Sequence, residues 1–255
     1  MTKFWAALAA CIVLILPGWA GAAGFEAAVG VWHQSPSGDV TYKGQTGDDR
    51  LDLESSLGLD DETGLLFRAR LETPLILPNI GFMATPVTFS GKGTAKGSFT
   101  FGNQTFSADA PIDGKLRLNQ YDVSLFYGIP GLKAATLGMF NVDLGLNLRL
   151  MDVDIEVRQE QAGLSESESL FLPVPTLYAG ASFRPLDFFA LEAEARGVTY
   201  AGNHFYSLIG RVRFDPLDHL FLAGGYRYDS VSIDEKGLKA DVDISGPFAE
   251  IGISF

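Results

Sequence analysis

Leu65-Leu66-Phe67-Arg68-Ala69-Arg70-Leu71-Glu72-Thr73 is the stretch that decides the fold. Successive side chains of an extended strand point to opposite faces, so Leu65, Phe67, Ala69 and Leu71 share one face while Arg68, Arg70 and Glu72 share the other. An apolar face turned to lipid and a charged face turned to a closed interior give this pattern. The same period of two recurs downstream. Phe140, Val142, Leu144, Leu146, Leu148 and Leu150 oppose Asn141, Asp143, Asn147 and Arg149. Leu191, Ala193 and Ala195 oppose Glu192, Glu194 and Arg196; Tyr206, Leu208, Val212 and Phe214 oppose Ser207, Arg211 and Arg213; Leu220, Leu222, Tyr226 and Tyr228 oppose Arg227 and Asp229.

A soluble sandwich alternates too, so the connections must discriminate. Period-two segments fall at roughly 25–34, 64–73, 80–91, 114–128, 137–151, 172–184, 188–200, 204–215, 219–231 and 243–255. The connections between them alternate short and long. The short ones, near Pro74 to Pro78, Ile129 to Lys133, Pro185 to Asp187 and Pro216 to Asp218, carry proline at turn positions. Four of the five in the other set are long and polar. Such asymmetry, with both termini on the short-turn side, predicts an all-β chain closed into an antiparallel transmembrane β-barrel of about ten strands, with eight and twelve as neighbouring solutions. Phe183-Arg184-Pro185-Leu186-Asp187 and Phe214-Asp215-Pro216-Leu217-Asp218 share one form and read as equivalent periplasmic turns.

The start of the chain supplies an address. Lys3 is followed by the apolar run Phe4 to Leu16, a Pro17-Gly18 break and the small-x-small Ala20-Gly21-Ala22, which predicts a signal peptide over residues 1–22 and a mature barrel with long extracellular loops over 23–255. Leu8-Ala9-Ala10-Cys11 also has the form of a lipobox, but cutting there would leave Ile12 to Leu16 as an apolar tail on the mature chain. Cys11 is the chain's single cysteine, so beyond the leader neither a disulfide framework nor a thiolate metal site is available. The net charge of −12 opposes nucleic acid, whose phosphates require a basic face. With 47% hydrophobic residues the chain is not of the disordered class.

Ala249, Ile251, Ile253 and Phe255 alternate to the last residue. They resemble the C-terminal strand by which outer-membrane barrels are recognised by their assembly machinery, which makes Phe255 a candidate assembly signal. Gly30-Val31-Trp32 with Ser35 to Gly38, Leu57-Gly58-Leu59-Asp60-Asp61-Glu62, Leu77-Pro78-Asn79-Ile80 and the final Gly252-Ile253-Ser254-Phe255 carry a wider likeness. On these residues the sequence resembles an uncharacterised family of Gram-negative outer-membrane β-barrel proteins. The resemblance implies the barrel and the outer membrane, with its lipids and lipopolysaccharide as surroundings, and supplies no activity.

Parity places Arg68, Arg70, Glu72, Asp143, Arg149, Glu192, Glu194, Arg196, Arg211, Arg213, Arg227 and Glu250 inside, joined by Glu26, Asp122 and Asp229. Two functions compete for this interior: a salt-bridged plug in a narrow barrel, or a polar permeation path. The near balance of signs favours the plug. Trp32, Tyr121, Tyr127, Tyr178, Tyr200, Tyr206, Tyr226 and Tyr228 are expected near strand ends, some as interfacial girdles. Ser35 to Thr63 concentrates acid, including Asp39, Asp48, Asp49 and Asp52, with Leu53, Leu57 and Leu59 on one side of a short helical turn over the barrel mouth. No calcium-loop spacing is visible in it. Thr94 to Ala108 reads as a hairpin prolonging its flanking strands. For catalysis the candidates are His33, His204 and His219, with Asp60, Asp61 and Glu62 near the first. None forms a hydrolytic constellation along the chain. The expectation is a structural or surface-interaction barrel without enzymatic activity, metal or cofactor; a transporter of small or hydrophobic solutes is the alternative, and an outer-membrane hydrolase the third reading.

Overall fold

Alternating sequence becomes long strands here, because within the closed ring each strand finds backbone partners on both sides. The structure is a computed structural model that describes residues 24–43, 50–74, 76–94, 97–107, 110–235 and 237–255. Residues 1–22, expected to be a signal peptide, and the loop acids Asp48 and Asp49 lie outside the described residues. The strands are β1 (Phe25–Tyr42), β2 (Leu51–Asp52), β3 (Glu62–Leu71), β4 (Asn79–Thr94), β5 (Phe99–Phe101), β6 (Gln104–Phe106), β7 (Pro111–Gly128), β8 (Phe140–Gln159), β9 (Leu164–Leu186), β10 (Phe189–Tyr200), β11 (Asn203–Leu217), β12 (Leu220–Glu235) and β13 (Leu238–Ser254). Among the described residues, ten of these form an antiparallel barrel in the order β1, β3, β4, β7, β8, β9, β10, β11, β12, β13, and β13 pairs back onto β1. That closing seam runs from Glu26↔Ser254 to Tyr42↔Leu238.

Gly24, Phe255 and the connections after β3, β7, β9 and β11 share one end, the periplasmic side by the usual barrel convention. The sequence-predicted turn after β7 is longer than expected. Residues 129–139 include a one-turn helix α1 (Leu132–Ala135), and β8 starts only at Phe140. The two Phe-x-Pro-Leu-Asp repeats do form equivalent turns, with a register shift in each ladder beside the proline.

The larger correction concerns the outer connections. A bilayer crossing takes only about 9–11 residues of tilted strand, yet β8 has 20 residues and β9 has 23. The segments read as long loops after β8 and β12 are continuations of the strands, which rise well beyond the bilayer. Their alternation keeps its period and reverses its phase. On β7, Val123, Leu125 and Tyr127 face outward in the membrane half, whereas higher up Ile112, Leu116 and Leu118 face inward. On β8 the reversal falls at Leu150-Met151: Leu144, Leu146 and Leu148 are exposed, while Met151, Val153, Ile155 and Val157 are buried. Lipid surrounds the lower barrel and water the upper one, so the apolar side chains change sides at the boundary.

The upper interior is filled by inserted chain. Residues 51–59 dip into the mouth and bury Leu51, Leu53 and Leu57, each 1% exposed. A helical turn holds them, with the Asp52 carboxylate accepting from the Ser55 N–H at 2.7 Å; that hydrogen bond keeps the Asp52 carboxyl below its ordinary pKa. Three glycines on the barrel wall admit this segment. A Cβ on Gly91 would sit 1.6 Å from the Gly58 carbonyl oxygen, one on Gly93 2.0 Å from the Ser56 oxygen, and one on Gly114 2.8 Å from Leu57 Cβ. The β5–β6 hairpin does not prolong β4 and β7, as the sequence suggested. Those two strands stay paired up to Thr94↔Pro111, and the hairpin is a separate sheet. It buries Phe99, Phe101 and Phe106, with Phe99 stacked on Phe106 at 5.0 Å and Phe101 edge-on to Tyr42 at 5.4 Å.

Candidate functional site

The membrane half encloses the charged residues, and two layers can be distinguished. The upper layer lies directly beneath the apolar core. Asp122 faces Arg149 across the β7–β8 ladder, and the guanidinium grips the carboxylate with two hydrogen bonds, at 2.8 and 2.7 Å. Arg227 grips Asp229 on its own strand in the same forked manner, at 3.0 and 2.6 Å. Arg149 reaches Asp229 at 3.3 Å, and both arginines donate to Gln120 Oε1, at 2.9 and 2.8 Å. Aromatic faces complete the layer, with Phe205 at 4.2 Å from Arg149 and Trp32 at 4.3 Å from Arg227. The side chains of Arg149 and Asp229 are wholly buried. Forked pairing of this kind is what arginine, and not lysine, provides.

The lower layer is broader. Arg68 bridges Glu26 at 2.6 Å and Glu250 at 2.8 Å. Arg211 holds Glu192 at 2.5 Å and Glu194 at 2.8 Å, and Arg196 holds Glu194 at 2.6 Å. Arg70 meets Asp143 at 3.0 Å and Glu72 at 3.3 Å. Arg213 pairs with Glu26 on β1 and with Asp215 on its own strand, whereas Glu192 and Glu194 across the ladder pair with Arg211. Among these pairs lies a cavity of about 190 Å³, lined by Arg68, Arg70, Glu194 and Arg211 and, towards the periplasmic end, by Glu72, Lys133 and Arg184.

The structure places all fifteen residues read as inward from parity on the lumen side. Sequence reasoning passed over Gln120, Trp32 and Phe205, which complete the upper layer. Gln120 was legible from its even position on β7 and Trp32 from its even position on β1, but Trp32, like Tyr178, was expected near a rim; the two are buried, at 1% and 5% exposure. Tyr127, Tyr200, Tyr206, Tyr226 and Tyr228 do lie on the exterior.

The exterior of the membrane half is a belt of exposed aliphatic residues, such as Leu65, Leu146, Leu177, Leu208 and Ile251. A search of solved structures agrees with what that belt and the closed edges require. The outer membrane protease OmpT from Escherichia coli is similar over 91% of this chain and 97% of its own, with a TM-score of 0.59 and 8% sequence identity. The fold is that of an outer-membrane β-barrel. More remote are the translocator domain of autotransporter NalP from Neisseria meningitidis, at 13% identity over 100% of this chain and 95% of that one with a TM-score of 0.41, and Ail of Yersinia pestis, at 14% identity over 91% and 98% with a TM-score of 0.38. No protein-family model matches the chain, and no curated protein matches it. Likeness at this level is one of fold. Together with the belt, it puts the barrel in the outer membrane.

The histidines of the barrel stand apart from the lumen. His33, on the outer face of β1, lies 3.2 Å from Thr63 Oγ1 and 3.6 Å from Asp61. His204 stacks on Tyr206 at 5.3 Å while Ser207 faces inward, wholly buried. His219 stacks on Phe255 at 4.8 Å by the periplasmic turn. Among the described residues no group of three or more acidic, His or Cys side chains is arranged to hold a metal ion.

Proposed function

We propose that this barrel is a non-conducting, non-enzymatic surface protein, whose membrane half is an anchor and whose upper half is a rigid platform for interactions outside the cell. The observation that carries this reading is the double closure of the interior, by the Arg149–Arg227 layer in the membrane and by residues 51–59 above it. A permeation path with a charge preference would be lined by one sign and left open; here opposite charges neutralise each other across the available width. Wild-type protein in a planar bilayer should give no steady open-channel current. Large, stable conductance steps would overturn the reading and favour transport.

Biogenesis belongs to the same proposal. Phe255 exchanges two backbone hydrogen bonds with Phe25, at 3.0 and 2.8 Å, and the residue is 67% exposed, so it remains available to an assembly machinery. Deleting Phe255 should reduce the fraction that migrates as a compact, heat-modifiable band, and Phe255→Asp, which keeps the backbone bonds, should reduce it as well. An unchanged folded yield in Phe255→Asp would remove the assembly-signal role.

A further inference from the structure

The barrel wall does not rise to one height. The β8–β9 hairpin turns at Glu160–Ala162 and β12–β13 turns at Gly237, but β10–β11 between them turns at Ala201-Gly202. The last residues paired between β9 and β10 are Leu177↔Gly197, and between β11 and β12 His204↔Ser232. Above Leu177, β9 pairs with β8 alone. The missing wall leaves a lateral cleft of about 470 Å³, within the usual range for small-molecule pockets of about 300–1,000 Å³. Leu172, Val174, Val198, Phe205 and Ile233 line it, and Asn203, His204 and Glu235 stand at its rim. Its apolar character continues inward, since Met151, Val231 and Ile233 also border a small aliphatic void of about 30 Å³ that Leu53 and Leu57 line.

The open edge of β9 carries Pro173-Val174-Pro175. Both prolines pair with β8, opposite Leu150 and Leu148. Proline fits a ladder only where its missing N–H would point away from the partner strand, so both rings face the cleft. The edge thereby loses two donors that hydrocarbon could not satisfy, and it is also spoiled for pairing with an added β-strand. The mouth lies where the apolar belt ends: Phe171 is 61% exposed and Leu177 69%, while Asp152, facing Phe171 in the ladder, already belongs to the water-facing surface. An apolar chain entering here meets aliphatic walls, and its head stays level with polar side chains.

We propose that this cleft is a binding site for a single-chain amphiphile, an alkyl chain with an oxygen-bearing head group, taken up from outside the cell. A cleft of about 470 Å³ has the size of a small-molecule pocket, which argues against a multi-chain lipid as occupant. Phe205, which lines the cleft, covers the Arg149 guanidinium at 4.2 Å, so the cleft lies on the outer side of the charged layer.

Residues 24–255 contain no cysteine, so Val174→Cys gives a unique thiol in the cleft wall and Ser165→Cys a control on the outer face of the same strand. With the barrel in phosphatidylcholine nanodiscs, dodecanoate should slow N-ethylmaleimide labelling of Val174→Cys saturably, by about tenfold at full occupancy, and leave Ser165→Cys unchanged. Adding Val198→Trp to Val174→Cys should abolish the dodecanoate dependence. An unchanged labelling rate up to the solubility limit of dodecanoate would overturn the proposal. So would protection that requires only lipopolysaccharide in the nanodisc and is not displaced by dodecanoate, since the occupant would then be a resident lipid. Neither result bears on the conductance of the lumen.

Discussion

Arg149→Ala should be among the most destabilising single changes in this barrel, at about 3–5 kcal/mol, because truncation leaves buried charge without its partner. The Arg149 side chain is fully buried, and its loss strips Asp122 of both forked hydrogen bonds and Asp229 of its second cation. Arg227 is already engaged with Asp229 and Gln120 and has no spare fork to offer. The measurement is the temperature at which the compact gel band of the folded barrel gives way to the unfolded one. Arg50→Ala is the comparison. That side chain is 59% exposed where it meets Asp39 and Asp241, and exposed pairs contribute about 0–1 kcal/mol. The double variant Arg149→Met/Asp122→Leu removes cation and anion together and should recover much of the loss. If Arg149→Ala and Arg50→Ala unfold at the same temperature, the layer is not a buried ionic plug.

Gly91→Val should expel the inserted segment. The new side chain would occupy the space of the Gly58 carbonyl, 1.6 Å from the ideal Cβ position, and backbone pinned by the Leu59↔Gly91 bridge cannot yield as a flexible side chain would. Withdrawal exposes Leu51, Leu53 and Leu57, at a cost of about 1.5–3 kcal/mol for each fully buried leucine. Leu53→Cys reports it directly. In the otherwise native barrel this thiol should resist a membrane-impermeant maleimide, and in Gly91→Val it should react fully, while the membrane half still migrates as a compact band. Continued protection in Gly91→Val would mean that the segment is held by something other than this close backbone approach.

The membrane half was legible because lipid imposes a simple rule: apolar outward, charged inward, at every second residue. From Phe67 to Leu71 the rule holds, with Leu66 as the inward apolar residue where the upper core begins, and the lumen charges followed by parity. The upper half obeys the opposite rule. At Leu150-Met151 the phase reverses, so a reading that tracks one phase ends the strand there and turns Asp152, Asp154 and Glu156 into a loop. These residues are the water-facing side of a strand whose inner side is Met151, Val153, Ile155 and Val157. Trp32 was misplaced for a related reason. An aromatic near a predicted strand end suggests an interfacial girdle, but its position on β1 points it inward, where Arg227 covers its ring and its indole N–H donates to the Gly246 carbonyl at 3.2 Å. The close approach of residues 56–58 to Gly91, Gly93 and Gly114 had no sequence signal beyond the glycines themselves. The outer cleft arises from a difference in hairpin height, which no single segment encodes.

The β1–β13 seam has a consequence for the order of events during folding. The first strand made is partnered by the last, along almost their whole length. Loop-closure entropy for that pairing is paid over the entire chain, and every earlier pairing leaves a curved sheet with two raw edges. Such a sheet is no smaller barrel. In hydrocarbon its edges would expose rows of unsatisfied N–H and C=O groups, so a chain truncated before β13 has no stable membrane form of its own. Integration is therefore cooperative across the full ring, and the intermediates that precede it require shelter outside the bilayer.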